Sequence, residues 1–255
     1  MGVETLDSAS GKLIGSMPAG SAPSSLARRE HRFFGGLALA LTLAVFLGFA
    51  RTYYLHEPLA SPFPLTTSLH WHGAAFSLWM LLLVTQTTLI SARRVEWHKR
   101  LGVAGTVLAG VLIVLGSYVA VDRTAAGLML DRGVPPLVFL AVPLLGMGVF
   151  GGLFAAAIHL RRNSPAHKRL IMLATFELVT AGIARIPVVD GWGPPGFFAL
   201  IDLFLIALVF FDLRTLRRVH PATLWGGAFF VASQPLRLLV GTTAAWTFFA
   251  AWLTS

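Results

Sequence analysis

The chain has 255 residues, a mean hydropathy of +0.74 and a formal net charge of +9. Hydrophobic residues make up 56 % and charged residues 12 %, against roughly a quarter charged in soluble domains, which excludes an ordinary water-soluble globule. The basic residues gather between apolar stretches rather than over one surface, so the pattern excludes nucleic acid as a partner and points to the lipid bilayer.

Residues 1–27 are rich in Gly, Ser, Ala and Pro and contain no apolar run. Residues 1–30 are therefore expected to be a disordered cytoplasmic tail, without the central apolar segment of a signal peptide. Residues 31–255 are expected to form one all-α domain, a polytopic seven-transmembrane-helix bundle. Its predicted helices lie near 33–54, 70–91, 101–121, 135–159, 169–188, 196–213 and 222–251, each about long enough for a hydrocarbon core of roughly 30 Å.

The gaps between these stretches alternate in charge. Before the first, and after the second, fourth and sixth, lie 15 of the 20 Lys and Arg residues. The other gaps hold Arg123 and Arg132, with Arg51 and Arg185 at helix ends. The positive-inside rule then places the N-terminus in the cytoplasm and the C-terminus outside. A weak repeat accompanies the basic turns: Trp97-His98-Lys99-Arg100-Leu101 is echoed by Ala166-His167-Lys168-Arg169-Leu170. Gly102, Gly105, Gly110 and Gly116 in the third stretch, and Gly146, Gly148, Gly151 and Gly152 in the fourth, predict a close contact between those helices. Pro143 and Pro235 predict kinks. The absence of cysteine excludes disulfides and thiolate chemistry.

Ionisable residues inside a span mark candidate sites. Arg237 and Asp202 fall at similar depth in the seventh and sixth stretches and are expected to pair, with Gln234 one turn from Arg237. Glu177 lies mid-span in the fifth stretch, and Arg185 two turns further along it. Arg51 and Tyr54 close the first stretch, and His70 and His72 open the second. All of these fall in the outer half, which points to an outward-facing polar pocket for a ligand or for protons.

Metal chemistry has one candidate, the His70-x-His72 pair. Residues two apart on a helix diverge by roughly 200°, so both reach one ion only if the helix starts later. Haem would need facing histidines. His98 with His159 or His167 is the available set, at the basic boundary where lipid contact also accounts for histidine, and no haem ligand is assigned. A retinal Schiff base is excluded, because Lys12, Lys99 and Lys168 are the only lysines.

Several runs together resemble a family of uncharacterised bacterial multi-spanning inner-membrane proteins. They are Arg51-Thr52-Tyr53-Tyr54, His70-Trp71-His72-Gly73 with Trp79 and Gln86, His167-Lys168-Arg169-Leu170, Asp202-Leu203, and His220-Pro221-Ala222-Thr223-Leu224-Trp225-Gly226 with Ser233-Gln234-Pro235-Leu236-Arg237. The resemblance implies seven helices in a bacterial inner membrane, and no particular activity. A looser likeness links the hairpins and histidines to the cytochrome b561 group, from which the chain departs in having no histidine well inside facing helices.

Four functional readings follow. The first is a bundle that binds or translocates a small polar or anionic molecule, or protons, through the outer pocket. The others are a redox enzyme with b-type haem or a quinone, a metal-dependent membrane hydrolase with zinc at His70 and His72, and a structural or assembly subunit. The sequence specifies no cofactor and no oligomeric state.

Overall fold

The computed structural model describes residues 25–57, 59, 65–128 and 133–255, and all regular structure among them is helical. Helix α1 covers Ser25–Phe49 and runs into a π-helical turn, Ala50–Tyr54. Next come α2 (Thr67–Ser91), α3 (Val95–Ala125), α4 (Pro136–Phe139), α5 (Ala141–His159) and α6 (Ser164–Ile183). The chain ends with α7 (Pro187–Asp190), α8 (Gly193–Leu216), α9 (Pro221–Gly241) and α10 (Ala244–Leu253). The helix α1 already includes residues 25–30, which composition assigns to a tail. The rest of that tail, and Arg132, lie outside the described residues.

Local chemistry sets the helix starts. Thr66, Asn163, His220 and Thr243 each accept a backbone N–H of the first turn that follows. Pro165 and Pro221 occupy the first turns of α6 and α9, where a missing N–H costs nothing. The cap at His220 uses the Nδ1 lone pair, which accepts from Ala222 N–H at 3.1 Å. Burial, and then the Arg169 guanidinium, hold this imidazole below its ordinary pKa, which keeps the lone pair available.

Five helices are long and apolar enough to cross a membrane: α1 with its π turn, α2, α3, α4–α5 together, and α8. The pair α9 and α10 makes a sixth if it is taken as one span, but it is bent by 81°. The bend falls at Thr242–Thr243, because Thr243 starts a new helix there; Pro235 stays inside α9. Helix α6 fits by length but not by composition, since it carries Lys168, Arg169 and Glu177.

Helix α6 is nevertheless the centre of the bundle. Fourteen of its 20 residues are buried, and it packs against α1, α5, α8 and α9. Its apolar residues Leu173, Phe176 and Val179 join Phe150 of α5, Leu41 of α1 and Phe230 of α9 in one core. Arg169 and Glu177 never face the outside of the bundle because other helices surround them, and the partly exposed Lys168 pairs with Glu30 of α1. At the end with the basic turns, Arg169 is fully buried and fork-binds Asp212 of α8, with Nε donating to Oδ1 at 3.0 Å. Asp212 Oδ2 also accepts from the Thr223 hydroxyl at 2.6 Å and from His220 N–H at 3.1 Å. One carboxylate thus ties α6, α8 and the start of α9. Arg169, which the charge pattern places in a loop, is part of the core.

Small residues act at fewer places than the sequence suggests. Gly116 and Gly151 do mediate the α3–α5 contact, against Met147 and Ile113. Gly148 and Gly152 meet nothing, so their spacing is not a packing motif here. The tightest approach joins α1 to α6, where a Cβ on Gly48 would overlap the carbonyl of Gly182. Two backbones meet there and neither can yield. Gly48→Ala is expected to lower stability by about 1–3 kcal/mol through overpacking, read as a lower melting temperature in detergent. Gly152→Ala, in open space, is expected to leave stability unchanged or raise it by up to about 1 kcal/mol.

Candidate functional site

A cavity of about 230 Å³ opens at the end opposite the basic turns. The π turn after α1, the start of α2, the ends of α3 and α6, and the starts of α5 and α8 enclose it. Four sequence candidates line it: Tyr54, His72, Glu177 and Arg185. Thr52, Tyr53, Arg123 and Thr180 line it as well. The remaining candidates, Arg51, His70, Asp202, Gln234 and Arg237, do not.

The π turn has a direct consequence for the wall. A π turn inserts an extra residue into the helical period and often marks a functional position. Here Thr52, Tyr53 and Tyr54 all border the cavity. Their anchorage is on α2. Tyr54 Oη shares a hydrogen bond of 2.8 Å with Ser77 Oγ, and Tyr53 Oη donates to His70 O at 3.3 Å. The ring of Tyr53 lies where a Cβ of Gly73 would be, so glycine at 73 is a condition of this docking.

Three buried polar atoms on the wall lack a hydrogen-bond partner: Thr52 Oγ1, His72 Nδ1 and Arg123 Nη1. Native buried polar groups are nearly always satisfied, so each exception needs a cause. Here all three belong to residues that line one cavity, with the atoms themselves tucked behind its surface. Arg123 keeps one anchor, with Nη2 donating to Leu128 O at 3.4 Å. His72 stacks on Phe76, with ring centroids 4.3 Å apart. Arg185 donates from Nη1 to Ala181 O at 2.7 Å and lies over the Phe49 ring.

Glu177 is held from below. Arg237 of α9 donates from Nη2 to Oε2 at 3.0 Å and from Nη1 to Oε1, a fork-to-fork pair with both side chains buried. Arg237 also donates to Ser233 O, Ser233 Oγ and Val142 O. A side chain on Gly146 of α5 would touch Glu177 Oε1 and Arg237 Nη1, so the glycine makes room for the pair. The expected Asp202–Arg237 pair is therefore corrected. Depth matched, but Arg237 turns toward α6, and Asp202 accepts instead from Gln234 Nε2 at 2.8 Å.

The metal expectation at His70 and His72 fails on geometry. Helix α2 has already begun at Thr67, so the two side chains diverge, and only His72 borders the cavity. Among the described residues no group of three or more His, Cys, Asp or Glu could hold a metal ion. At the basic end, His98 and His167 bring their ring centroids to 6.4 Å at 86°. There His167 Nδ1 bonds Ala157 O at 2.8 Å, Gln86 Nε2 donates to His98 O at 3.2 Å, and Gln86 Oε1 and His98 Nδ1 are unsatisfied.

Sequence reasoning missed Thr52 and Tyr53 because nothing in their spacing announces a π turn. It read Arg123 only as a topological charge. Its position two residues from the end of α3, facing other ends across the bundle, is a tertiary fact.

The Glu177–Arg237 pair generates a testable expectation. Removing one partner strands a buried charge, so Glu177→Gln or Arg237→Met alone is expected to cost about 3–5 kcal/mol, and the double variant less than the sum of the two. Asp202→Asn is expected to show no coupling to Arg237→Met. Melting temperatures across both double-mutant cycles check this, and additivity at Glu177–Arg237 would contradict the pairing. No family model, no curated protein and no solved structure matches this chain, so its residues alone carry the functional reading.

Proposed function

We propose that the protein is a seven-span membrane protein, with its N-terminus in the cytoplasm and its C-terminus outside, whose outward-facing cavity binds a small polar or anionic ligand. Helices α6 and α9, at 20 and 21 residues, are each about 30 Å long and match a hydrocarbon core. Wrapping α6 in apolar helices lets it span despite three charges. The 81° bend lets α10 lie along the outer surface, where the exposed Phe248, Phe249 and Trp252 suit the interface.

The observation that carries the binding reading is that Thr52, His72 and Arg123, each with a buried and unsatisfied polar atom, line one cavity. Arg123 and Arg185 give its mouth a positive field. Binding is favoured over passage through the bundle. Below the cavity Trp79, Met80, Leu83, Leu112, Phe150 and Leu173 fill the middle with apolar side chains. A screen of small organic acids against the purified chain is expected to find one that raises the melting temperature saturably. At about 100 times Kd the ligand adds about 2.7 kcal/mol, a shift of several degrees. His72→Ala and Arg123→Gln are expected to abolish that shift. A screen in which no acid acts, or in which both variants respond as the parent does, refutes the reading.

A second reading, a membrane oxidoreductase with b-type haem, has one observation in its favour. An imidazole nitrogen sits about 2 Å from a bound metal, so two imidazoles on opposite sides of one ion have centroids about 6 Å apart, close to the His98–His167 spacing of 6.4 Å. The Ala157 carbonyl on His167 Nδ1 is the usual support of a ligating histidine. A Soret band in the purified protein, lost in His98→Ala and His167→Ala, is the expected sign of haem here, and its absence after expression with added haem removes this reading.

A further inference from the structure

We infer that the cavity takes a small amphipathic carboxylate: one anionic head on an apolar body the size of a single ring or a short chain. This rests on the reading of the cavity as a binding site. It is argued from where the cavity is polar, where it is not, and how large it is.

The polar atoms without a partner are few, and they belong to residues near helix ends. Thr52 belongs to the π turn at the end of α1, Arg123 lies two residues from the end of α3, and His72 lies one to two turns into α2. Arg123 Nη1 carries two N–H donors and the Thr52 hydroxyl one, all without a partner. Such a set suits the two oxygens of a carboxylate, and the arginine donors are charge-assisted. The His72 ring is already hydrogen-bonded to the Leu115 backbone, and its Nδ1 lone pair serves no carboxylate oxygen. Glu177 does not neutralise the mouth, because Arg237 already occupies both of its oxygens.

Elsewhere the wall changes character. Val45, Phe76, Val119, Val142, Met147 and Phe197 line it without a polar atom in their side chains. A bare anion leaves this surface uncovered, and an apolar body covers it. The volume, about 230 Å³, lies below the roughly 300 Å³ at which ordinary small-molecule sites begin. A phospholipid or a long-chain quinone exceeds it. A compact head-and-body molecule fits, with its charge toward the outer water and its body toward the core.

Three probes separate the terms. Benzoate has both head and body, formate has the head alone, and benzyl alcohol has the body with no charge. Titrated calorimetrically into the purified full-length chain in a non-ionic detergent, benzoate is expected to bind at least about tenfold more tightly than either. Arg123→Gln is expected to weaken benzoate about tenfold or more, the size of one charge-assisted hydrogen bond, and to leave benzyl alcohol unchanged. Thr52→Val, which keeps the side-chain shape and touches no ion pair, is expected to weaken benzoate in the same direction and guards against a folding defect at Arg123. Formate binding as tightly as benzoate overturns the amphipathic ligand and leaves a simple anion site. Benzyl alcohol binding as tightly as benzoate overturns the carboxylate head. If no probe binds, and none of the organic acids of the melting screen acts either, the cavity is not a binding site and both readings fall together.

Discussion

Two buried ion pairs on one helix set the architecture. Arg169 and Glu177 lie eight residues apart on α6, about 12 Å along the axis and about 80° around it. The first is bound by Asp212 of α8 and the second by Arg237 of α9. Helix α6 thus gives a cation to one neighbour and an anion to the other. Each charge is costly in a low-dielectric interior unless its partner is in place. A shift of α6 by one turn, or a rotation to another face, would strand four charges at once. The pairs need not add much net stability to do this, because the penalty falls on the alternatives. They also settle why a long helix with a carboxylate at mid-length sits in the middle, where protein rather than hydrocarbon surrounds it.

The same lock positions the cavity. Glu177 is on its wall, and Arg237 draws that carboxylate back toward α9. Thr180, Ala181, Ala184 and Arg185 continue the wall along the end of α6 and the turn beyond it. Opposite them, the π turn carries Thr52 to Tyr54. The π turn is fixed by contacts to α2 rather than by its own period. So the cavity is framed by one helix held by electrostatics and one turn held by packing against Gly73.

Much of the helical layout was legible in the sequence, because hydrocarbon length and charge asymmetry act on whole segments and survive averaging. Long apolar runs therefore marked the helices well, except where a single cap redirects the chain, as Thr243 does after α9. Partner choice was not legible in the same way. Asp202 and Glu177 are both carboxylates within reach of α9 by depth, and only helix rotation decides which one meets Arg237. Glycine spacing misled for a related reason: Gly148 and Gly152 lie on a face with no neighbour, and the decisive close approach is a lone pair of glycines, Gly48 and Gly182, on helices far apart in sequence. At the site, His72 and Glu177 stood out by chemical type. Thr52 and Arg123 did not, because their distinction is an unmet hydrogen bond, and that exists only once the walls are assembled.

The apolar layer under the cavity has an electrical consequence. Trp79 stacks edge-on against Phe150 and Phe154, with centroids at 5.4 and 5.7 Å, and with its neighbours it closes the bundle's middle to water. In a membrane the transmembrane voltage drops across such a dry layer rather than across a water-filled vestibule. Glu177 lies six residues from the end of α6, about 9 Å in, or about a third of a core of roughly 30 Å. A unit charge lodged even at that depth crosses at most a similar fraction of the field. At about 2.3 kcal/mol per charge per 100 mV for full crossing, its occupancy changes by only about 0.7 kcal/mol for each 100 mV. Most of the electrical drop is left to the sealed layer, where no ligand charge sits to feel it.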